Sequence, residues 1–283
     1  LFGSNYLKIY EAGFAEILYT RGVGEGTTIK AGISYQDRMP LENTDNTYWG
    51  KAKNISRRTP NYPVELVLEN FKRHQALVAE FVVSYRPGTK YIRLPERKIN
   101  LGSRYPAFTL SFAKGVHGML GSDVDYDRWK FSVKDDVNAK LAGMFDYNIS
   151  VGGFFNNRRL ELPDYQHFNG NRMLVATEYL NSFQLAPYYA RSTTEKLYAT
   201  LNVEHHFNGF LTNKIPFIKT LNIHLVGGAN AFVVNKNNYY YEAFSGIENI
   251  LKVIRVDYVW GFGNEGFQTS AFRIGFRGGL GRN

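Results

Sequence analysis

The sequence predicts an all-β protein, and within that class a transmembrane antiparallel β-barrel of the outer-membrane type. Long segments alternate between apolar and polar residues, aromatic residues are abundant, and long uninterrupted apolar runs are absent. Side chains alternate between the two faces of a strand, so each such segment has one apolar face and one polar face. A strand that crosses a bilayer needs about 9–11 residues, whereas strands of soluble domains average about 5–6.

The longest alternation runs from Ala139 to Phe155. Apolar, aromatic and glycine residues occupy every odd position, and most even positions are polar or small. This pattern predicts a strand whose odd side chains face lipid and whose even side chains, Lys140 and Asp146 among them, line a polar lumen. Similar alternations predict ten further strands. They lie at 6–21, 27–35, 77–86, 108–112, 128–134, 194–207, 219–233, 239–247, 251–260 and 268–278.

The composition excludes several classes of protein. No segment approaches the roughly 18 apolar residues that a membrane-spanning helix needs. The chain has 16% aromatic residues, which is typical of barrels with aromatic girdles, and no Cys, which excludes disulfides and thiolate metal sites. The net charge of +9 comes from dispersed residues and does not indicate nucleic-acid binding.

We expect residues 1–283 to form a single barrel domain that is N-terminally incomplete. Eleven predicted strands are an odd number, whereas single-chain bacterial outer-membrane barrels have an even number. The chain is therefore expected to be the C-terminal part of a larger barrel. A short extra strand near Lys90–Leu94 would bring the count to twelve.

Two connections are long, 38–76 and 153–193. In the first, the segment Pro63–Gln75 predicts a helix, since proline suits a first helical position. The second contains the aromatic and turn-forming sequence YQHFNGNR, and two arrangements remain open for it. The loop folds back into the lumen, where its polar groups meet inward residues such as Asp146 and Arg273, or it forms a rigid surface loop closed by Pro163 and Pro187.

No arrangement of residues indicates an enzyme, a cofactor site or a metal site. The six His are scattered along the chain. His205 and His206 are adjacent, so on a strand they point to opposite faces and cannot chelate one metal ion. We therefore expect no catalytic residues and no cofactor.

The chain resembles a family of bacterial outer-membrane proteins with an N-terminal carboxypeptidase-regulatory-like domain. The resemblance rests on YQHFNGNR, on YYARSTTEKLYATLNVEHHFNGFLTNKIPFIKTLNIHLVGGANAF, and on the upstream phrases TPNYP, YRPGTKYI and GSRYPAF. The C-terminal barrel of that family is itself similar to the surface-antigen barrels of the BamA/TamA type. The resemblance implies a sixteen-stranded barrel in the bacterial outer membrane, with a long loop tucked into the lumen and five closing strands after it.

The resemblance also implies site residues. The lumen-loop motif corresponds to Tyr165, His167, Phe168, Asn169, Gly170, Asn171 and Arg172. The Arg-Gly-aromatic tripeptide of the superfamily is absent here, and Asn230 stands where the superfamily has an Asp. The inward residues expected on the lumen wall are Lys140, Asp146, Asn230, Arg255, Asp257 and Arg273.

The expected function is assembly, insertion or export of envelope proteins. The last strand, Gln268 to Gly278, would form one side of a weak seam, because Gly275 and Gly278 beside Phe276 contribute little packing. An open seam would pair with incoming strands. Two alternatives are a passive anion-favouring channel and a barrel subunit that anchors a complex through 38–76. The expected partners are outer-membrane lipid and other outer-membrane proteins or lipoproteins, and no nucleic acid. The basic residues that would line the channel are Lys30, Lys130, Lys134, Lys140 and Arg273.

Overall fold

The structure is a computed structural model that describes residues 8–42, 60–96, 98–210, 212–214 and 221–276. Within these ranges the chain forms thirteen strands. Their bounds are β1 Tyr10–Gly22, β2 Thr27–Pro40, β3 His74–Tyr85, β4 Lys90–Arg93, β5 Lys98–Gly102, β6 Ala107–Gly115, β7 Asp125–Asn138, β8 Met144–Arg159, β9 Tyr198–His206, β10 His224–Asn235, β11 Asn238–Ile250, β12 Ile254–Gly263 and β13 Gly266–Phe276. None of the helical turns in the described residues has the length and apolar character needed to cross a membrane.

Eleven strands form one antiparallel sheet in the order β1-β2-β3-β6-β7-β8-β9-β10-β11-β12-β13. Each of the eleven predicted segments overlaps one of these strands, so the all-β prediction is confirmed. In the described residues β1 and β13 are the two edges, and the sheet is not closed into a barrel. The predicted short strand near Lys90–Leu94 exists as β4. It pairs only with β5 in a separate hairpin, and therefore adds no strand to the large sheet.

The strand predicted over Ala139–Phe155 begins five residues late, at Met144. Lys140 lies in an exposed 3₁₀ turn between β7 and β8, so its assignment to the lumen wall is wrong. The reason is backbone geometry: Lys140 and Gly143 both have positive φ (55° and 108°), which a strand does not accommodate. The apolar–polar pattern of the sequence continues through this turn, although the turn is not a strand.

The helix predicted over Pro63–Gln75 is also wrong. A single turn forms, in which the Val67 N–H donates to the Pro63 carbonyl oxygen (3.0 Å). From His74 onward the chain pairs with β2, where His74 lies opposite Arg38. The few residues left between the turn and β3 are too short for a stable helix.

The two faces of the large sheet have opposite chemistry. We call the face on which the 160–197 loop lies the inner face, and the opposite one the outer face. Large apolar side chains are exposed on the outer face, for example Phe155 (69%) and Phe272 (60%). Further members of this set are Phe81, Leu110, Phe131, Phe145, Ile149, Leu201, Val233, Tyr241, Ile247, Trp260 and Phe276.

Buried polar and charged side chains occupy the inner face instead. They include Arg38, Asp146, Ser150, Asn202, Glu204, Asn230, Glu242, Glu248, Arg255, Asp257 and Arg273. Soluble antiparallel sheets have the reverse arrangement, with apolar residues packed and polar residues in water. The predicted assignment of Asp146, Arg255, Asp257 and Arg273 to the polar face agrees with their burial there.

Two hydrophobic clusters lie between the 160–197 loop and the inner face of β9–β12. One aromatic cluster contains Phe168 and Phe183 of the loop, packed against Phe232 and Tyr240 of the sheet. A second contains Tyr179 and Leu185 of the loop with Phe244 and Val259 of the sheet. The loop therefore supplies half of the residues of these two clusters. A further buried cluster, on the inner face of β3, β6, β7 and β8, contains Ala76, Val78, Ala113, Val124, Tyr126 and Phe154.

Candidate functional site

The candidate site is the contact between the loop and the inner face. The loop leaves β8 through a short 3₁₀ turn, Leu162–Asp164, that includes Pro163. Asp164 is buried there and accepts hydrogen bonds from Arg38 Nη1 (2.8 Å) and the Tyr126 hydroxyl (3.3 Å). These contacts fix the start of the loop to β2 and β7.

The loop is closed on itself at its base. Gln166 and Thr193 form an isolated antiparallel bridge, with both N–H···O distances at 2.9 Å. His167 lies beside this bridge, with Nδ1 2.7 Å from Ser192 Oγ and Nε2 3.0 Å from the Leu162 carbonyl oxygen. Burial lowers the pKa of His167, which favours the neutral ring. A neutral ring with Nε2 protonated satisfies both contacts, because Nε2 then donates and Nδ1 accepts.

The predicted loop motif packs against β10. The Phe168 ring stacks on Phe232 with centroids 4.2 Å apart, and Asn169 donates from Nδ2 to the Asn181 carbonyl oxygen (3.0 Å). Gly170 lies so close to the backbone of Ala186 and Pro187 that a Cβ would collide with it. The motif thus connects two segments of the loop, around 168–170 and 181–187, and packs the first of them against the sheet.

The other motif residues have different surroundings. Asn171 is fully buried and donates from Nδ2 to the Val175 carbonyl oxygen (2.8 Å). Tyr165 is half-buried, which raises the pKa of its hydroxyl. Arg172 is exposed.

Glu242 of β11 holds the returning half of the loop. Its carboxylate accepts hydrogen bonds from the backbone N–H groups of Gln184 (2.6 Å), Leu185 (2.7 Å) and Ala186 (3.0 Å). It also accepts one from the Tyr240 hydroxyl (2.8 Å), and it is 0% exposed. A carboxylate can satisfy four donors in this way because both oxygens carry two lone pairs.

Arg273 of β13 binds the same loop segment from the other side. Its Nε donates to the Gln184 carbonyl oxygen (2.7 Å). Arg273, which was predicted to face inward and to contact the loop, therefore forms a hydrogen bond with it. Glu242 was not among the predicted site residues, although its even position in the 239–247 alternation places it on the polar face by the same rule.

A third contact joins the loop to β12. The Tyr179 hydroxyl donates to Asp257 Oδ2 (2.7 Å), and Arg255 Nε donates to the same oxygen (2.7 Å). The Arg255 guanidinium also pairs with Glu204 and lies over the Tyr179 ring, 4.1 Å from its centroid. Pairing of these buried charges offsets part of their desolvation cost.

Two further predicted wall residues lie near this contact. With its amide oriented so that the nitrogen donates, Asn230 reaches the Tyr179 carbonyl oxygen (3.0 Å). Asp146 is on the inner face as predicted, but its neighbour is His206 (3.7 Å), which also contacts Glu248 (3.0 Å). His205 is on the other face of β9, where it packs on Phe145.

The predicted seam residues lie in or beyond β13. Gly275 is buried, and a Cβ built on it would be 3.6 Å from Ala176 Cβ of the loop, an ordinary contact. Phe276 ends β13 and is exposed on the outer face. Gly278 lies outside the described residues.

Chemically, the arrangement is a set of clamps. Its charged groups form ion pairs with one another or hydrogen bonds with the loop backbone. Among the described residues, no group of three or more His, Asp or Glu side chains is arranged to hold a metal ion. What the site can do is keep 160–197 on the inner face.

The family comparison concerns most of the chain. The model for the C-terminal domain of a family of unknown function, DUF5686, matches residues 1–247, which include the loop, Glu242 and the strands from β1 to β10. No curated protein is significantly similar to the chain. The chain therefore belongs to the DUF5686 family, of which it carries the C-terminal domain.

Proposed function

We propose that this chain forms the membrane-embedded wall of a bacterial outer-membrane β-barrel, closed inside by its own loop, that assembles, inserts or exports other envelope proteins. The observation that carries the proposal is the inverted sheet: its outer face is apolar and exposed, and its inner face is polar and buried. The sequence resemblance to BamA/TamA-like barrels supports the assembly role.

The outer face fits lipid. Burying apolar surface contributes about 25 cal/mol per Å², and soluble monomers rarely leave apolar patches larger than a few hundred Å² in water. Strands β7 and β8 have 14 and 16 residues, which exceeds the roughly 9–11 needed to cross a bilayer. Trp129 and Phe155 stack on the outer face with centroids 5.5 Å apart, as in an aromatic girdle.

The directions of the edge strands are compatible with a larger barrel. All neighbours in the eleven-stranded sheet are antiparallel, so β1 and β13 run in the same direction. Direct closure would pair them in parallel, whereas antiparallel closure needs an odd number of additional strands. The sixteen-stranded barrel implied by the resemblance would provide five.

The loop favours an assembly role over passive conduction. It covers the inner face of β9–β13 and is clamped by Glu242, Arg273 and Asp257. A steady open pore would require these buried contacts to break. The outer edge of β13 makes one parallel bridge with the loop, between Val175 and Ile274, and an opened seam at this edge would be suited to pairing with a strand of a client protein.

Quenching of tryptophan fluorescence by brominated lipid tests the membrane part of the proposal. Single-Trp variants that retain Trp129 or Trp260 are reconstituted in vesicles with bromine on the acyl chains. We expect strong quenching, because both side chains are on the outer face. The matched control is Tyr189→Trp in a background without the native Trp residues, which places the probe in the loop. Equal quenching of all three probes, or of none, would contradict the proposal.

Depletion of the protein in its native bacterium tests the assembly part. We expect other outer-membrane barrel proteins to decline in the envelope, and re-expression to restore them. An unchanged envelope with altered uptake of small anions would favour the channel instead.

A further inference from the structure

The hairpin of β4 and β5 connects β3 to β6 at one end of the large sheet. Its two strands pair only with each other and form a sheet of their own. A two-stranded hairpin is at best marginally stable by itself in water. The stability of this hairpin therefore depends on how its base is held and on what its two faces contact.

Arg86 fixes the base of the hairpin. Its Nη2 donates to Asp135 Oδ1 (3.0 Å) and to the Ser103 carbonyl oxygen (3.1 Å), and its Nε donates to the Tyr105 carbonyl oxygen (3.0 Å). The backbone N–H of Arg86 donates to the Gly26 carbonyl oxygen (2.8 Å). These bonds join both ends of the hairpin to β7 and to the turn between β1 and β2.

One face of the hairpin carries exposed apolar side chains. Ile92 and Ile99 are directly opposite each other in the register, so they share this face, and they are 47% and 37% exposed. Leu94 and Leu101 flank this pair along the chain and are exposed as well. Tyr91 is adjacent to Ile92 on β4 and therefore lies on the opposite face. In the described part of the chain, the apolar face is thus open.

The hairpin is also strongly basic. Glu96 is the single acidic residue of the segment 87–104. The basic residues of this segment are Lys90, Arg93, Arg97, Lys98 and Arg104. A cluster of Lys and Arg beside an apolar surface is attracted to anionic lipid headgroups, and each basic residue adds to the attraction. The charge of the hairpin therefore favours an anionic surface as its partner.

The hairpin is attached where the apolar outer face of the sheet ends. It follows Tyr85 and precedes Phe108, and these two residues are directly opposite each other in β3 and β6. Phe108 stacks on Phe131 of the outer face with centroids 6.3 Å apart, and Tyr85 and Tyr105 are exposed. Aromatic residues are enriched where a membrane protein crosses the membrane–water interface. The base of the hairpin is therefore at the expected boundary of the lipid-facing surface.

The neighbouring connections indicate which side of the membrane this is. At the same end of the sheet, 23–26 joins β1 to β2 and 251–253 joins β11 to β12, whereas the 160–197 loop joins β8 to β9 at the opposite end. Outer-membrane barrels have short turns on the periplasmic side and longer loops outside. The hairpin is thus expected on the periplasmic side.

We infer that the β4–β5 hairpin lies on the periplasmic leaflet of the membrane, with Ile92 and Ile99 in the interface and the basic residues among anionic phospholipid headgroups. The inference rests on the membrane part of the proposed function and adds a lipid-binding element to the barrel wall. Amphipathic segments with a basic polar face lie in the membrane interface in this way. Lys and Arg can reach the headgroups because their long side chains keep the charge in the polar layer.

Two neighbouring tryptophan probes test the inference. Ile92→Trp and Tyr91→Trp are each made in a full chain whose three native Trp residues are replaced by Phe. Each protein is reconstituted in vesicles of phosphatidylglycerol and phosphatidylcholine in equal amounts, with bromine high on the acyl chains. We expect bromine to quench Ile92→Trp at least about twofold more strongly than Tyr91→Trp, because only the first probe faces the lipid.

The role of charge is tested in the Ile92→Trp protein. Quenching should fall in vesicles of phosphatidylcholine alone, at high salt, and when Lys90→Gln and Arg93→Gln are combined. The matched control combines Lys114→Gln and Arg158→Gln, two exposed basic residues near the other end of the sheet. This control should leave the quenching unchanged.

A second probe guards against a local distortion caused by one substitution. Ile99→Trp, opposite Ile92, should reproduce the quenching of Ile92→Trp. Equal quenching on the two faces of β4 would overturn the inference, and so would quenching that is independent of anionic lipid. Probes at 92 and 99 that stay unquenched in all vesicles would also overturn it and would indicate a protein partner for the apolar face. If Trp129 and Trp260 are still quenched in that case, the proposed function stands without this inference.

Discussion

In both halves of the sheet, β2–β7 and β9–β13, the inner face is formed by alternate side chains of each strand. The two halves differ in the residues that cover this face. Over β9–β13 the loop lies on it, and buried charges such as Glu242 and Asp257 are bonded to loop groups. Over β2–β7 the start of the loop contacts Arg38 and Tyr126 through Asp164, and a separate apolar cluster that includes Val78 and Tyr126 fills part of the inner face. A cavity of about 260 Å³ lies beside it, among Glu80, Ser111 and Lys130. The alternation of the sequence thus determines which side chains face inward. Contact with the loop determines which of these side chains are hydrogen-bonded in the interior and stabilise the fold.

The largest expected effect is a difference in unfolding free energy between substitutions of two glutamates on the inner face, Glu242 and Glu80. Glu242→Gln puts an amide where four donors converge, and buried N–H groups lose their acceptor. We expect the free energy of unfolding to fall by about 3 kcal/mol. Glu80→Gln, an exposed position in the other half, should change it by less than about 0.5 kcal/mol. Denaturant titration in micelles measures both, and similar losses would remove the distinction between the two halves.

A smaller effect is expected from one hydroxyl of the loop. Tyr179→Phe removes the hydrogen bond to Asp257 and leaves that buried carboxylate with one donor fewer. We predict a loss of about 1–3 kcal/mol in the free energy of unfolding. Tyr241→Phe is the control, since Tyr241 is exposed on the outer face. If both variants unfold alike, the Tyr179 contact contributes nothing to the clamp.

The smallest effect is a pH dependence at the base of the loop. Burial lowers the pKa of His167 below its ordinary value of 6.5, so the unfolded chain binds a proton more readily there. The contribution of His167 is therefore fully present above about pH 6.5 and is lost as pH falls through the folded pKa. His167→Gln should flatten this part of the stability profile, measured by thermal unfolding from pH 7.5 to 5. An unchanged slope would exclude His167 as its source.

The faces of the strands could be predicted from sequence because side-chain alternation is a local property. It assigned Asp146, Arg255, Asp257 and Arg273 correctly to the polar face. It failed at Lys140, where the apolar–polar pattern continues through a turn that is set by backbone φ.

The partners of the inward residues could not be predicted. Glu242 and the backbone of Leu185 are 57 positions apart, and Ile274 and Val175 meet through one isolated bridge. Such contacts depend on the path of a long loop, and no local pattern records that path. The sequence favoured a loop that folds inward, but it left a rigid surface loop open as the alternative.

Conductance of the purified protein in planar bilayers tests most directly whether the loop closes the inner face. We expect no steady current for the unaltered chain, and open events when Glu242→Gln and Arg273→Met are combined, because both clamps on 184–186 are then lost. Lys130→Met, which leaves both clamps on 184–186 intact, should not open it. A steady anion current through the unaltered chain, unchanged by the double substitution, would show that the loop does not close the inner face.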